Sequence, residues 1–577
     1  MNTVALKRQQ TIRLPGWRRR LLLVLVLAGF VVLIARSVYL QSTHKQFLQQ
    51  KGDARYSRNI VLPAHRGMIT DRNGEPLAIS TPVESIWASP PDLEMNKEQV
   101  NQLAALLGFK PETISKKLAN NPREFVYLKR RIPPELARQV MALKIPGIFM
   151  QREYRRYYPA GEVAAHLVGF TGVDQIGREG FELAAQDVLS GKEGSRRVIK
   201  DRQGRIVEDL EAVKVPQDGK NLVLSIDRRI QYLAHRELAR AVETHKAKAG
   251  AAVVLDARTG EVLAMTNVPS YNPNNPVNLA GRSRNRAIVD LFEPGSTLKP
   301  FSAAAAMDAG VFDTSSIIDT TPGVMHIGSA TVRDVHPQGK ATIAQIIQKS
   351  SNVGSAKLGM SIEPKALWNV FNLAGFGQVT NVGFPGEASG RLRDYKSWRP
   401  IEHATMSYGY GLNLTLLQLA RAYTVFANDG ELRPVSLRKQ NEQPVGQQVF
   451  KPQTARAMLE MMELAVLPGG TAPRAQIPGY RVAGKTGTAH KHGVGGYQSD
   501  KYVSSFVGLA PASNPRLIMA VMIDEPGAGQ YYGGAVAAPV FSAVVSGVLR
   551  MLAVPQDAPN DNIVIPPEEA PVVQEMV

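Results

Sequence analysis

Cysteine is absent from all 577 residues. Its absence excludes a disulfide scaffold, a thiolate metal site and a cysteine nucleophile, so covalent chemistry would have to use another side chain; it leaves the redox compartment open. Internal repeats are missing too, as is any dense Lys/Arg cluster interleaved with aromatics. The net charge of +18 is therefore no sign of a nucleic-acid groove. A charged fraction of 20% is too moderate for a disordered chain, and the length is ample for several domains with buried cores. The first 20 residues carry no acid, only Lys7, Arg8, Arg13, Arg18, Arg19 and Arg20 as charges.

Those six cations run into an apolar stretch from Leu21 to Ala35, which continues through Arg36 to Leu40. Twenty helical residues at ~1.5 Å rise span the ~30 Å hydrocarbon layer of a bilayer. Arg36 can snorkel to the far interface beside Tyr39. The charge asymmetry predicts a cytoplasmic N-terminus and a single-pass anchor, with the rest exported. Ala35-Arg36-Ser37 is a poor cleavage site, which argues against a removed signal peptide. Without the seven basic residues of the first 36 the exported part stays basic, at +11, and fits an anionic polymer of the cell envelope as partner.

The expected organisation is a cytoplasmic tail (1–20), an anchor (21–40), a non-catalytic α+β module (41–220), a catalytic domain (221–553) and a disordered, Pro- and acid-rich tail (554–577). In the module, Asp71-Arg72-Asn73-Gly74 reads as a hairpin turn, and Asp201 to Gly204 is a similar tetrad. Pro111 to Leu118 and Pro134 to Leu143 have helical periodicity. The catalytic domain opens with a strand from Asn221 to Ile226 and a helix from Arg228 to Thr244. A hairpin from Ala251 to Met265 follows, and Leu517 to Ile523 and Ala538 to Met551 supply a late strand and a closing helix. This pattern predicts an α/β (α+β) layer fold with one antiparallel sheet flanked by helices.

Three short segments carry chemistry. Ser296 and Lys299 follow the Pro294-Gly295 turn and lead into an Ala-rich helical run, so they share one helix face. A serine hydroxyl needs an adjacent base, and a desolvated lysine can serve. Ser-x-x-Lys also occurs at Ser42 and Ser436, without that setting. Lys349-Ser350-Ser351-Asn352 adds hydroxyls and a carboxamide. Gly484-Lys485-Thr486-Gly487-Thr488 adds a cation and hydroxyls on an expected edge strand, suited to a carboxylate and an oxyanion. Together, in this order, they describe acyl transfer by an activated serine. Gly479 to Thr486 also matches the pattern of a P-loop, but a turn and strand-like residues stand where a strand and a helix are needed. His490-Lys491-His492 lacks an acidic partner and reads as solvated loop histidines, not a metal site. Glu293 reads as shaping the turn, and Asp524-Glu525 as structural.

These segments resemble the class B penicillin-binding D,D-transpeptidases, most closely their septal, cell-division type. The likeness extends to Arg66 through Gly74, Arg156-Tyr157-Tyr158-Pro159-Ala160-Gly161, Gly177-Arg178-Glu179-Gly180, Ser270 to Asn275, Tyr408-Gly409-Tyr410-Gly411 and Tyr531-Tyr532-Gly533-Gly534, with Asn285 to Gly295 of septal character. The resemblance implies a penicilloyl-serine transferase fold, no glycosyltransferase domain and no cofactor or metal. It implies Ser296 as nucleophile, Lys299 as base, Ser350 as proton relay, Asn352 and Lys485 as further catalytic groups, and Ser351, Thr486, Gly487 and Thr488 as substrate or β-lactam contacts. The backbone N–H groups of Ser296 and Thr488 form the implied oxyanion hole. Implied partners are peptidoglycan stem peptides, β-lactams, the membrane, a septal glycosyltransferase of the SEDS type and other divisome proteins. The implied place is the inner membrane at the division septum, with the catalytic domain periplasmic. A D,D-carboxypeptidase or β-lactamase of the same fold, or a non-catalytic sensor or scaffold, are the alternatives.

Overall fold

The computed structural model of the chain describes residues 15–42, 57–119, 125–200, 206–493 and 496–563. The tetrad at 201–204, the basic residues up to Arg13 and the tail from residue 564 lie outside these. Gly16–Ser42 is one continuous helix, longer at both ends than the expected 21–40. It is long and apolar enough to cross a membrane, and none of its residues is buried.

The rest divides into two compact units. The first joins the described residues up to 63, the helix among them, with those of 84–153 and 192–217. In its 84–153 part, helices Lys97–Leu107, Pro111–Ala119 and Pro134–Ala142 bury Leu103, Leu107, Ile114 and Val140 against Ile86, Ala88, Leu128 and Ile132. Strand alternation explains the choice: Ile86 and Ala88 face the helices while Trp87, between them, turns away to meet Phe149. The first of these helices starts where Asn96 and Gln99 form a reciprocal capping box and stops at Gly108 in the left-handed region. A separate antiparallel sheet joins Ser57–Leu62, Gly194–Lys200 and Ile206–Lys214.

The second unit joins 64–83 and 154–191 to everything from 218 onward, so the compact units cut across the expected 41–220 module. Asp71 to Gly74 forms the expected turn, with the Asp71 carboxylate accepting from the backbone N–H groups of Asn73 and Glu75. Only Leu222–Val223 of the expected opening strand is a strand.

The centre of this unit is a five-stranded antiparallel sheet. Its strands are β1 (Ala249–Asp256), β2 (Val262–Val268), β3 (Ala483–Gly493), β4 (Gly496–Ala510) and β5 (Leu517–Asp524), in the order β2-β1-β5-β4-β3. Helices α1 (Arg228–Thr244) and α5 (Ala538–Met551) cover one face, where Ile230, Leu238, Phe541 and Val544 meet Val254, Phe506, Met519 and Val521. The helical half of the unit covers the other, through Phe301, Leu416 and Tyr423 among others. That half includes α2 (Lys299–Asp308), α3 (Ile343–Lys349) and α4 (Asn352–Met360). With both faces covered, β1 and β5 are buried throughout and apolar up to their final aspartates, Asp256 and Asp524, instead of alternating. β3 lies at the sheet edge, so the outward backbone groups of the strand carrying Lys485, Thr486 and Thr488 have no partner strand.

Candidate active site

Gly295 has φ +54, a backbone that excludes most side chains, and it turns the chain into the 3-10 segment Gly295–Leu298 that leads into α2. The turn is held from three sides. Gly295 N–H donates to Gly409 O (3.1 Å), and the Tyr423 hydroxyl donates to Thr297 O (2.6 Å). β3 closes on it where Gly487 leaves room: a Cβ at Gly487 would lie 2.8 Å from Pro294 O and 2.9 Å from Thr297 Cγ2. Gly409 is equally constrained, since a Cβ there would stand 2.0 Å from Gly295 O. The Ser296 side of the turn is thus pressed between β3 and the 408–411 segment, with Ser296 4% exposed.

Lys299 and Lys485 are both fully buried. A buried ammonium group must be hydrogen-bonded, and these two converge on one acceptor. Lys299 Nζ donates to Ser350 Oγ (3.1 Å) and to Ser350 O, and Lys485 Nζ donates to the same Oγ (2.9 Å). Ser350 can sit between them because it ends α3 in the left-handed conformation, φ +61, where its N–H donates to Ile347 O (3.3 Å). The chain re-enters a helix at once: Ser351 caps α4 by accepting from Gly354 N (2.8 Å) and donates to Asp334 Oδ2 (2.6 Å). Ser351, expected as a substrate contact, is therefore committed to the cap and to Asp334, which also accepts from Val353 N (3.0 Å). Asn352 Nδ2 donates to Arg333 O (3.3 Å).

On β3, Lys485 Nζ also donates to Thr486 Oγ1 (3.2 Å), which pairs with Thr471 Oγ1 (2.8 Å). Thr488 Oγ1 accepts from Gly533 N (3.1 Å). Register sets Lys485 opposite Val507 and Gly487 opposite Ser505. The structure therefore brings Ser296, Lys299, Ser350, Lys485 and the Thr486–Thr488 strand into one dry corner. Such a corner can present a hydroxyl next to a buried lysine beside a strand at the sheet edge.

Beside it lies a cavity of about 300 Å³ lined by Glu293, Asp290, Asn413 and the β3 residues Ala489 to His492. Burial pushes the Glu293 carboxyl up, against hydrogen bonds from Gly411 N (2.9 Å) and the Tyr497 hydroxyl (3.1 Å) that favour its charged form. Glu293, which precedes the turn, thus ties it to Gly411 and Tyr497. His490 and His492 lie on β3 and not in a loop, because β3 pairs with β4 as far as Gly493. Asp524 and Glu525 bind Lys491 (2.6 and 2.8 Å), a structural role as expected. Among the described residues no three His, Asp or Glu side chains are grouped to hold a metal.

Residues 250–546 match the penicillin-binding protein transpeptidase domain, and residues 61–224 the penicillin-binding protein dimerisation domain. The chain belongs to the penicillin-binding D,D-transpeptidases. It is 44% identical over 553 residues to the peptidoglycan D,D-transpeptidase FtsI of Escherichia coli K12, covering 94% of this chain and 93% of that one. It is 45% identical over 535 residues to the probable peptidoglycan D,D-transpeptidase PenA of Neisseria gonorrhoeae, covering 92% of each. The transpeptidase domain of penicillin-binding protein 3 from Burkholderia pseudomallei superimposes with a TM-score of 0.55 at 48% identity, covering 58% of this chain and 98% of that one. A peptidoglycan synthetase from Bifidobacterium adolescentis does so with 0.70 at 25% identity, over 88% and 99%. This transpeptidase is of the penicillin-binding protein 3 type.

Several residues that build the transpeptidase site carried no signal in the sequence. Asp334 and Thr471 lie outside the three segments and reach them only through the fold, and Lys349 Nζ ties the end of α3 to Gly469 O (2.7 Å). The repeated glycines of Tyr408 to Gly411 were the one available hint of the close approach to Gly295.

Proposed function

We propose that this transpeptidase cross-links peptidoglycan stem peptides at the division septum through an ester on Ser296. The carrying observation is the convergence of Lys299 and Lys485 on Ser350 Oγ beside the Ser296 turn. Two ammonium groups sharing one hydroxyl in a dry site repel, which favours the neutral amine at one of them. Lys299, on the helix that begins beside Ser296, is that base. It takes the Ser296 proton as Oγ attacks the penultimate D-Ala carbonyl. The developing oxyanion is held by the backbone N–H groups of Ser296 and Thr488. The C–N bond then breaks, the proton passes through Ser350 to the leaving D-Ala amine, and an acyl ester remains. The amine of a neighbouring stem peptide attacks that ester, gives up its proton to the base, and returns Ser296 as the hydroxyl. Lys485, Thr486 and Thr488 receive the terminal carboxylate of the donor or of a β-lactam, the peptide lying along the open edge of β3. Asn352 holds the substrate amide.

The basic N-terminus supports a cytoplasmic start, a single pass through the inner membrane and a periplasmic catalytic domain. A septal glycosyltransferase and other divisome proteins are the partners this placement suits. Penicillin added to the full chain in detergent, followed by digestion and mass spectrometry, should give a covalent adduct on the Ser296 peptide and none in Ser296→Ala. An adduct elsewhere, or one that survives the substitution, would sink the proposal. Rapid turnover of the drug would favour the hydrolase alternatives.

A further inference from the structure

The chain beyond α5 was expected to leave the fold as a disordered tail at 554. It stays on the fold through Asn562, beyond the last residue, 546, of the matched transpeptidase domain. The surface it covers is the turn at 477–481, four residues before Lys485. Six contacts fasten it there, one of them from Asn562 Nδ2 to Ile477 O (3.4 Å). The Tyr480 hydroxyl donates to Val554 O (2.7 Å), and Ala558 N donates to Gly479 O (3.2 Å). Asp557 Oδ1 accepts from Arg481 N (2.7 Å). Asn562 works in both senses, its Oδ1 accepting from Gly479 N (3.2 Å) and its Nδ2 donating to Tyr480 O (3.1 Å). Gly479 has φ +81, which favours glycine, and the Gln556 side chain of the segment lies over it, with Nε2 2.5 Å from where a Cβ would stand.

The second oxygen of Asp557 accepts from Ser513 N (3.2 Å), in the connection between β4 and β5. One carboxylate therefore ties the lead-in of β3 to the far end of its neighbouring strand. β3 is an edge strand with a neighbour on one side only, so the direction in which it leaves the 477–481 turn bears directly on where Lys485 Nζ lies. The segment is short and fastened mostly by side-chain-to-backbone bonds, with Val554 packed against the core, whereas the strand itself is held by its ladder to β4 and by the Arg481–Glu463 ion pair (2.6 Å). Its loss would shift the strand without unfolding it.

We propose that residues 554–562 are a strap that positions Lys485, acting through Asp557 and Asn562 on the 477–481 turn. This rests on the assignment of Lys485 to the acylation site above. It also gives Gly479-Tyr480-Arg481, which resembles a phosphate loop in sequence, a role as the seat of the strap.

The test compares four forms in detergent, all with the N-terminal helix: the intact chain, Asp557→Ala/Asn562→Ala, a chain ending at Ala553 and one ending at Ile563. The readouts are the rate of labelling of Ser296 by fluorescent penicillin, hydrogen exchange at 480–488, and thermal unfolding. Displacement of a catalytic group by a fraction of an ångström to 1 Å lowers rates by about 10- to 100-fold, the loss expected for the double variant and for the chain ending at Ala553. Labelling is measured well below the unfolding transition of each form. Exchange should quicken at 480–488 and stay unchanged in β1, while the chain ending at Ile563 behaves as intact. A peptide of residues 554–563 should restore labelling to the shortened chain. If the double variant labels at the intact rate with unchanged exchange, the strap is overturned, and it is equally overturned if exchange rises throughout the sheet. An intact chain that never labels would instead overturn the Ser296 assignment, and exchange at 480–488 would still decide whether the segment holds the strand.

Discussion

A serine oxygen shared by the Nζ atoms of two buried lysines is constrained on every side, and the same is true of residues far from the chemistry. His166 is buried, with Nε2 2.7 Å from Arg282 O and its ring edge-on to Tyr271 at 5.5 Å. Burial holds the folded-state ring down at about 4, from an ordinary value of 6.5, with nearby His235 and Arg286 adding to the effect. As the pH falls from 6.5 to 4, the unfolded chain takes up a proton that the folded ring refuses. Folding stability is therefore full above 6.5 and declines as the pH falls through that window, by about 3 kcal/mol at its lower end. Denaturant titrations of the wild type at pH 7 and pH 4.5 should show this loss, and His166→Gln should reduce the difference between them. An unchanged difference would show that His166 is not the group responsible. His235, His245 and His403 are lowered in the same direction by burial, so a remainder is expected.

Among elements, the clasp around Glu182 has most at stake. This fully buried carboxylate sits between Arg66 Nε (2.7 Å) and Arg156 Nε (2.6 Å), joining the chain before Ile69–Thr70, the end of Ile148–Tyr157 and the short helix Gly180–Ala184. Removing the carboxylate that both buried guanidinium groups share leaves them uncompensated, which costs roughly 3–5 kcal/mol. Glu182→Gln should lower the unfolding midpoint accordingly, and a shift within error would refute the role. None of this clasp could be derived from the sequence, where Arg66, Arg156 and Glu182 are merely polar. What was legible has local causes: the Pro294-Gly295 turn before an Ala-rich helix, the apolar runs of β1 and β5, the Asn73-Gly74 hairpin, and the Gly-rich strand after Lys485. What was not legible is carried by contacts between distant segments, as with Asp334 on Ser351, Thr471 on Thr486 and Asp557 on Arg481. The division that groups 64–83 and 154–191 with the catalytic part is of the same kind, since no composition shift marks those boundaries.

At the scale of the whole molecule, membrane attachment and catalysis separate along the chain. No residue of Gly16–Ser42 is buried, and every described hydrogen bond of the active site comes from residues between 293 and 533. Deleting residues 1–42 should give a protein that stays in the supernatant without detergent and still labels Ser296 with penicillin at the rate of the full chain. Loss of labelling in a folded deletion form would mean the anchor contributes to the site. Global stability and activity also meet at one position, Ser350. Its left-handed backbone suits glycine, yet the acylation route proposed above uses a hydroxyl there. Ser350→Gly and Ser350→Ala both remove that hydroxyl, but only alanine keeps the backbone strain, so the glycine form should be the more stable by about 1 kcal/mol. The chain thus stores a conformational tension at the position proposed as proton relay, and relaxing it with glycine removes the hydroxyl that both lysines share.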